Sequence, residues 1–394
     1  MDFLDLRFFC CSERRMLIRF KKNDGTEYPQ WEEKKLGSIS EIYQPQTISQ
    51  SECTGGEYPV YGANGLIGYY HKYNHDKEQV AICCRGASCG KVNLVPEKSW
   101  ITGNAMVINV DKSNINKKYL YELLSFQNLN YMVCGSGQPQ ITREPCISHK
   151  VYVPSLEEQQ KIADFLSTVD HKIDKQKAIV ADYEEFKKGT MQKIFNQEIR
   201  FIDDDGNEFP EWEEISVEKV IEEYNIKTTV NNEYPILSST HSGIVLQNEY
   251  FNKQTASEDN TGYKIVPAGY FTYRAMSDTG KFVFNQQTLL DKGIVSPAYP
   301  VFKVIYGNET FFRIFMNDSR YVKSQILMNK EGSTRFALSM SKLKKLKIKM
   351  PCLEEQKKIA DCLSALDRKI ESEKKILADL EELKKGLLQA IFNN

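Results

Sequence analysis

Two short glycine-containing segments carry residue types suited to binding an anion or a nucleic-acid base. GSGQPQIT covers residues 135–142, and GSTRFALS covers residues 332–339. Backbone amides in a Gly-Ser loop can point at an anion, and Gln138, Gln140 and Arg335 are side chains that reach phosphates or base edges. The same glycines are equally typical of a tight turn, so both interpretations stay open.

The motifs that would indicate catalysis or a metal site are incomplete. GASCGK at residues 86–91 resembles a phosphate-binding loop but is one residue too short, and Val92 stands where Ser or Thr should hold magnesium. His71 and His75 are four residues apart without an apparent third ligand, which favours a surface pair over a metal site. No combination of nucleophile, base and orienting group is evident, so we predict no catalytic residues and no bound metal.

An internal repeat positions the two glycine segments. The stretch PSLEEQQKIADFLSTVDHKIDKQKAIVADYEEFKKGTMQKIF at residues 154–195 recurs 197 residues later, with about 26 of 42 positions identical. The glycine segments follow the same offset. Each module also starts alike, with an Asp-Gly turn followed by Pro and Trp-Glu-Glu; Trp31 and Trp212 are expected to pack there. The sequence therefore predicts one module used twice, a pseudo-twofold internal repeat.

Each copy of the 42-residue stretch predicts a long helix of about 60 Å. Pro154 and Pro351 and paired glutamates mark the starts, and lysine pairs lie toward the ends. Apolar residues at heptad spacing form a predicted pairing seam, comprising Ile162, Leu166, Val169, Ile173, Val180, Tyr183, Ile359, Leu363, Leu366, Ile370, Leu377 and Leu380. The obvious partner for one helix is the other copy, although a simple dimerisation coiled coil has the same pattern.

The residues before each long helix predict a small, mostly β domain. Short apolar runs between turns fill residues 43–147, with helical insertions such as Lys118–Phe126. Residues 224–302 have the same character but share few letters with the first domain. The overall prediction is an α+β fold in which similar helices carry two divergent domains.

Composition and charge narrow the class of protein. The 394 residues contain no run of 18 apolar residues, and the ten cysteines show no CxxC framework, so we expect a cytoplasmic protein with reduced thiols and no membrane span. The net charge is −1, but it is segregated: residues 203–223 hold ten acidic residues and one basic, whereas residues 224–349 have a basic surplus of about eight. In residues 43–150 the surplus is only about two.

Nearly the whole chain resembles the specificity subunit of type I restriction-modification systems. The resemblance is carried by PSLEEQQKIADFLS and its repeat, by the paired Trp-Glu-Glu starts, and by YPVYGANGLIGYY, GSGQPQIT and GIVSPAYPVF. It implies target-recognition domains at 19–153 and 199–350, and spacer helices at 154–198 and 351–394. The N-terminal extension (1–18) departs from the resemblance. The extension has no counterpart, so Met1 and Met16 both remain candidate first residues.

The resemblance also implies a function and partners. Each recognition domain would read half of a bipartite, asymmetric sequence in double-stranded DNA, and the two helices would pack antiparallel and set the spacing. Two methyltransferase subunits and restriction or motor subunits would do the chemistry. S-adenosylmethionine, ATP and magnesium are expected only on those partners, so this chain would be a non-catalytic subunit without its own cofactor.

Polar and basic loop residues are the candidate DNA contacts, because Arg and Gln can bond guanine and adenine in bidentate fashion. In the first domain they are Arg85, Lys91, Gln138, Gln140 and Arg143, and in the second His241, Tyr273, Arg274, Lys281 and Arg335. Any of them could instead be solvated surface residues. Two other classes stay open: a coiled-coil scaffold that does not bind DNA, and an enzyme with an unrecognised site.

Overall fold

The computed structural model describes residues 9–10, 16–53, 55–62, 65–135, 137–250, 259–329 and 336–393. The chain divides into two compact units, Met1–Ala178 with Lys374–Asn394, and Ile179–Glu373. Each unit holds one domain of mixed helix and strand together with parts of the two longest helices. Most of the predicted N-terminal extension, and the choice of first residue, lies outside the described residues.

The first domain leads into the first long helix. In chain order its elements are β1 (Phe9–Cys10), β2 (Met16–Leu17), β3 (Glu32–Lys35), α1 (Leu36–Ile39), β4 (Glu41–Tyr43), β5 (Tyr58–Gly62), β6 (Gly65–Tyr70), β7 (Gln79–Cys83), β8 (Val92–Val95), β9 (Trp100–Ile101), β10 (Ala105–Asn109), α2 (Lys117–Phe126), α3 (Arg143–Ser148), β11 (Lys150–Val153) and α4 (Leu156–Phe195). The helix predicted at Lys118–Phe126 is confirmed and begins one residue earlier.

A four-stranded antiparallel sheet is the centre of this domain, in the order β4-β10-β7-β8. The apolar runs QVAIC and AMVIN make β7 and β10 almost wholly buried, as expected for central strands. Helix α2 packs on the sheet through an apolar stripe that includes Leu120 and Leu123. Strand β3 pairs with β11, so the start and the end of the domain meet next to the long helix.

The second domain has the same strand order despite its divergent sequence. Its elements are β12 (Glu213–Ser216), β13 (Ile221–Glu223), β14 (Leu237–Thr240), β15 (Gly243–Leu246), α5 (Gln247–Tyr250), β16 (Lys264–Pro267), β17 (Phe271–Thr272), β18 (Met276–Ser277), β19 (Asn285–Gln286), β20 (Lys292–Val295), β21 (Val301–Val304), α6 (Glu309–Asp318), α7 (Arg320–Asn329), β22 (Phe336–Ala337), α8 (Met340–Lys345), β23 (Lys347–Met350) and α9 (Leu353–Phe392). The sheet β13-β21-β17-β19 is the counterpart of β4-β10-β7-β8, and β12 pairs with β23 as β3 does with β11. The predicted α+β class and repeated architecture are confirmed.

Within each unit, the parts of α4 and α9 run antiparallel. In the first unit Asp170 bonds Lys384 at 2.6 Å and Lys177 bonds Glu381 at 3.3 Å, so the partner number falls as the α4 number rises. In the second unit the Lys187 ammonium lies 2.5 Å from the Asp367 carboxylate. No helix in the described ranges combines the length and apolar composition needed to cross a membrane.

The predicted pairing seam lies on the inner side of these helices. Eight of its twelve residues are buried, and Tyr183, Leu366, Leu377 and Leu380 are half-buried. At one end, Ile162 and Leu166 join the core of the first domain, as Ile359 and Leu363 join that of the second. Which seam residues contact each other across the pair stays a prediction.

A buried glutamate ties the start of each long helix to the start of its domain. The Glu158 side chain has no exposed surface and accepts hydrogen bonds from Arg19 Nε at 3.1 Å and Trp31 Nε1 at 3.2 Å. Burial raises the pKa of the Glu158 carboxyl, and Arg19 opposes that rise. Glu355 holds Arg200 in the same way. These bonds explain why the Trp-Glu-Glu starts and the Glu-Glu-Gln helix starts repeat together.

Candidate nucleic-acid interface

In the first unit, the loop between β7 and β8 lies against the segment that leads into α3. The Gly86 N–H donates to the Pro139 carbonyl at 3.0 Å, and Arg85 and Gln140 face each other as an antiparallel bridge. Backbone bonds of this kind fix the two loops as a single surface, although they are far apart in the sequence.

All five candidate contacts of the first domain are exposed on this part of the unit. They are Arg85, Lys91, Gln138, Gln140 and Arg143. Within the described ranges, none of these side chains has a hydrogen-bond or ion-pair partner. The surface therefore offers three cationic groups and two amides to a ligand, and their contact with DNA stays a prediction.

Gly135 supports the tight-turn interpretation of the GSGQPQIT segment. Its φ is +93°, and a Cβ at this position would lie 2.6 Å from the Gln138 carbonyl oxygen, so the turn requires glycine. Ser136 lies outside the described residues. Anion binding by the Gly-Ser amides therefore remains a prediction.

In the second unit, a cleft of about 370 Å³ brings together three candidates that the sequence places up to 40 residues apart. His241, Arg274 and Lys281 line it, together with Ser and Thr hydroxyls of β14 and of the turn at 277–279. All three candidate side chains are exposed. Met276, which the sequence did not single out, also lines the cleft and is 42% exposed.

The β14–β15 hairpin forms one wall of the cleft and carries His241 at its tip. The Thr240 hydroxyl donates to the Gly243 carbonyl at 2.8 Å and closes the turn. The Asn285 amide donates to Ser239 Oγ and to the Thr240 carbonyl, both at 2.8 Å, and fastens the hairpin to β19. The wall is thus held by hydrogen bonds on the side facing the sheet.

One candidate of the second domain, Tyr273, does not line this cleft. The prediction for Tyr273 is corrected: its side chain is fully buried and its hydroxyl donates to the Leu338 carbonyl at 3.0 Å, so it cannot contact a duplex from this position. The aromatic ring fills the domain core because it lies on the inward side of the chain just after β17. Arg335 lies outside the described residues.

The titratable side chains of Cys84, Cys146 and His75 in the first domain are buried. Burial raises the pKa of the Cys146 thiol to about 12 and also raises the pKa of Cys84, so both stay protonated at neutral pH. His75 is buried and bonded to the Tyr43 hydroxyl at 2.9 Å, so the expectation of a surface pair with His71 is wrong for His75. Among the described residues, no group of three or more His, Cys, Asp or Glu side chains could hold a metal ion.

The chain is similar in sequence to several curated specificity subunits. It is 31% identical over 162 residues to the EcoprrI specificity subunit of Escherichia coli. This alignment covers 40% of this chain and 39% of that protein. It is 22% identical over 423 residues to the MjaVIII specificity subunit of Methanocaldococcus jannaschii, covering 95% of each.

Solved structures support the same fold. The S subunit of a type I restriction-modification system from M. genitalium aligns with a TM-score of 0.58 at 15% identity, over 96% of this chain and 100% of that one. A chain from a structural study of complex assembly and conformational transition in the type I R-M system aligns with a TM-score of 0.55 at 14% identity, over 93% and 98%. The family model for the type I restriction modification DNA specificity domain matches residues 28–182 and again residues 211–382. Because these two matches take up most of the sequence, the chain belongs to the family of type I restriction-modification DNA specificity domains and carries that domain twice.

Proposed function

We propose that this chain is the DNA-recognition subunit of a type I restriction-modification complex, with each domain reading one half of a bipartite, asymmetric site. The proposal rests on one observation: the two domains share their architecture but present different exposed surfaces. The strand order of the two sheets is the same. The first surface presents Arg85 and Gln140, whereas the second is a hydroxyl-lined cleft with Arg274 and Lys281.

The chemistry of both surfaces suits DNA. Exposed Arg and Lys side chains attract phosphates, and Arg and Gln can also bond base edges in the major groove. The net charge of −1 is weak for a protein that binds DNA alone. Partner subunits that close around the duplex would supply the remaining phosphate neutralisation.

The long helices would set the spacing between half-sites and dock two methyltransferase subunits. Two pairs of exposed apolar residues support docking. On α4, Ile179 and Phe186 are 39% and 60% exposed. On α9, Ile376 and Leu383 are 43% and 52% exposed. Each pair is seven residues apart, on one face of its helix, and the pairs are related by the 197-residue offset. Two equivalent surfaces fit two copies of one partner.

In this proposal the chain itself is not an enzyme. Methyltransferase subunits would bring S-adenosylmethionine. Restriction or motor subunits, which depend on magnesium, would use ATP. The role of this chain would be to bind both half-sites and to hold the duplex for those partners.

A genome-wide map of adenine methylation tests the proposal. Cells carrying the cognate methyltransferase are compared with and without this gene. A two-part motif that appears only with the gene supports the recognition role. If no motif appears although the two proteins are expressed and co-purify, the chain is instead a scaffold that does not read DNA.

A further inference from the structure

One backbone hydrogen bond marks equivalent positions in the two recognition domains. In the first, the Ile141 N–H donates to the Cys84 carbonyl at 3.0 Å; in the second, the Leu338 N–H donates to the Ala275 carbonyl at 2.9 Å. Ile141 and Leu338 are related by the 197-residue offset of the repeat. Cys84 and Ala275 therefore occupy the same place, although the sequences around them share little.

The next residue in each domain faces a residue of the neighbouring segment, in an isolated antiparallel bridge in the first domain and in a two-residue antiparallel ribbon in the second. Arg85 faces Gln140 in the first domain, and Met276 faces Ala337 in the second. Side chains directly opposite each other lie on one face of a ribbon, with their Cβ atoms about 5 Å apart. Arg85 and Gln140 are exposed, Met276 is 42% exposed and Ala337 is half-buried.

The two pairs differ in the base edges that they can recognise. Side chains that project from such paired extended segments can enter the major groove, where Arg bonds O6 and N7 of guanine and Gln bonds N6 and N7 of adenine. Met and Ala have no side-chain donor, and their apolar groups suit the thymine methyl. The Cβ spacing within each pair lets it reach neighbouring base pairs.

We infer that these two facing pairs determine specificity: Arg85 with Gln140 reads a G·C pair next to an A·T pair in one half-site, and Met276 with Ala337 packs on a thymine methyl in the other. This inference rests on the proposed DNA-recognition function and names the positions that carry it.

Hydrogen bonds fix the backbone segments that carry the facing pairs. In the first domain, the bonds from Gly86 to Pro139 and from Ile141 to Cys84 hold both segments. Base discrimination requires a precise geometry, and here the fixed backbone limits where the two side chains can reach. Arg274 and Lys281 lie in the cleft next to Met276, where they are suited to the flanking phosphates.

An exchange of the pairs tests the inference in the complete methyltransferase complex. The variant R85M/Q140A should lose the G·C and A·T requirement in one half-site, with about 5- to 100-fold less discrimination at each position, and leave the other half-site and the spacing unchanged. The reciprocal variant M276R/A337Q should alter only the other half-site. Each variant is thereby the control for the other, and adenine methylation mapping reads both motifs.

The conservative variant R85K separates base reading from charge. It keeps the positive charge but loses the bidentate fork, so the methylated motif should relax at one position while DNA binding keeps its salt dependence. If methylation by R85M/Q140A is too weak to map, two other measurements test the inference. They are the methylated motif of R85K and the affinity of the variant complex for duplexes changed at single positions. A motif unchanged in R85K and in the exchange variants, or an equal loss of affinity for all duplexes, overturns the inference. Absence of any bipartite motif with the unmodified chain would instead overturn the proposed function.

Discussion

The Glu355 carboxylate lies 2.9 Å from the Arg200 guanidinium, although its side chain is only 1% exposed. Trp212 Nε1 donates to the same carboxylate at 3.2 Å. Glu355 raises the pKa of Arg200, whose charge is thus retained in the fold. The contact joins the first turn of α9 to the start of the second domain, 155 residues earlier.

Replacing Glu355 with Gln should therefore destabilise the second unit. The amide keeps the shape but removes the buried counter-charge of Arg200, which then keeps only the exposed Glu211 carboxylate at 3.2 Å. We expect this to cost about 2 kcal/mol of unfolding free energy. Urea unfolding followed by tryptophan fluorescence measures the change. The control is Glu354→Gln, because Glu354 is the exposed neighbour on the same turn. Equal midpoints for the two variants would show that the buried ion pair contributes nothing.

The buried carboxylate of Glu122 has no counterpart in the second unit and predicts that the stability of the first unit depends on pH. Glu122 in α2 accepts from Lys384 Nζ at 3.1 Å, and Asp170 accepts from the same ammonium. Glu122 lies six residues after the helix cap Asn116, as Ile314 lies six after the cap Asn308 of α6. The second unit has the matching Lys187 and Asp367 pair, but with isoleucine in place of the third member.

The variant E122I should be more stable than the natural chain at neutral pH. Burial raises the pKa of Glu122 above its ordinary 4.5, so the folded state binds this proton more tightly than the unfolded state. The contribution of Glu122 to stability consequently falls as the pH rises from 4.5 through the raised pKa. Lys384 keeps Asp170 as its partner at 2.6 Å, so we expect a gain of about 1 to 2 kcal/mol at pH 7. The gain should become smaller as the pH falls to 4.5, measured by urea unfolding across that range. A variant less stable at pH 7 would mean that the Lys384 bond outweighs the burial cost. The reverse change I314E should destabilise the second unit.

The outward apolar pairs predict how many partners bind. Phe186→Ser should remove one methyltransferase subunit from the complex and Leu383→Ser the other, because each deletes the most exposed apolar side chain of its helix face. The double variant should bind neither. Native mass spectrometry of co-expressed subunits counts them, and Lys188→Ser, an exposed change on α4, is the control. Full occupancy in the double variant would place docking elsewhere.

The repeat and the long helices could be predicted because their signals are local. Heptad spacing and the Pro and Glu-Glu starts place α4 and α9 within two residues of their observed starts at Leu156 and Leu353. The strand order, the burial of Glu158 and the facing of Arg85 with Gln140 could not be predicted, since each depends on residues far apart in sequence. Tyr273 was misplaced for a related reason. An aromatic residue beside Arg274 gives no sign of which of the two points inward.

The proposed spacing role of the helices predicts a change in the DNA gap when both are lengthened. Seven residues inserted after Ala178 in α4 and seven after Glu373 in α9, at the boundaries of the two units, keep the heptad seam in register. Each insertion adds about 10 Å of helix, which equals about three base pairs at 3.4 Å each. The methylated motif should therefore gain about three unspecified base pairs, with both half-sites unchanged. An insertion in α4 alone offsets the two halves of the seam and should abolish methylation. An altered half-site with the original gap would contradict the spacing role, because helix length would then act on base reading and not on separation.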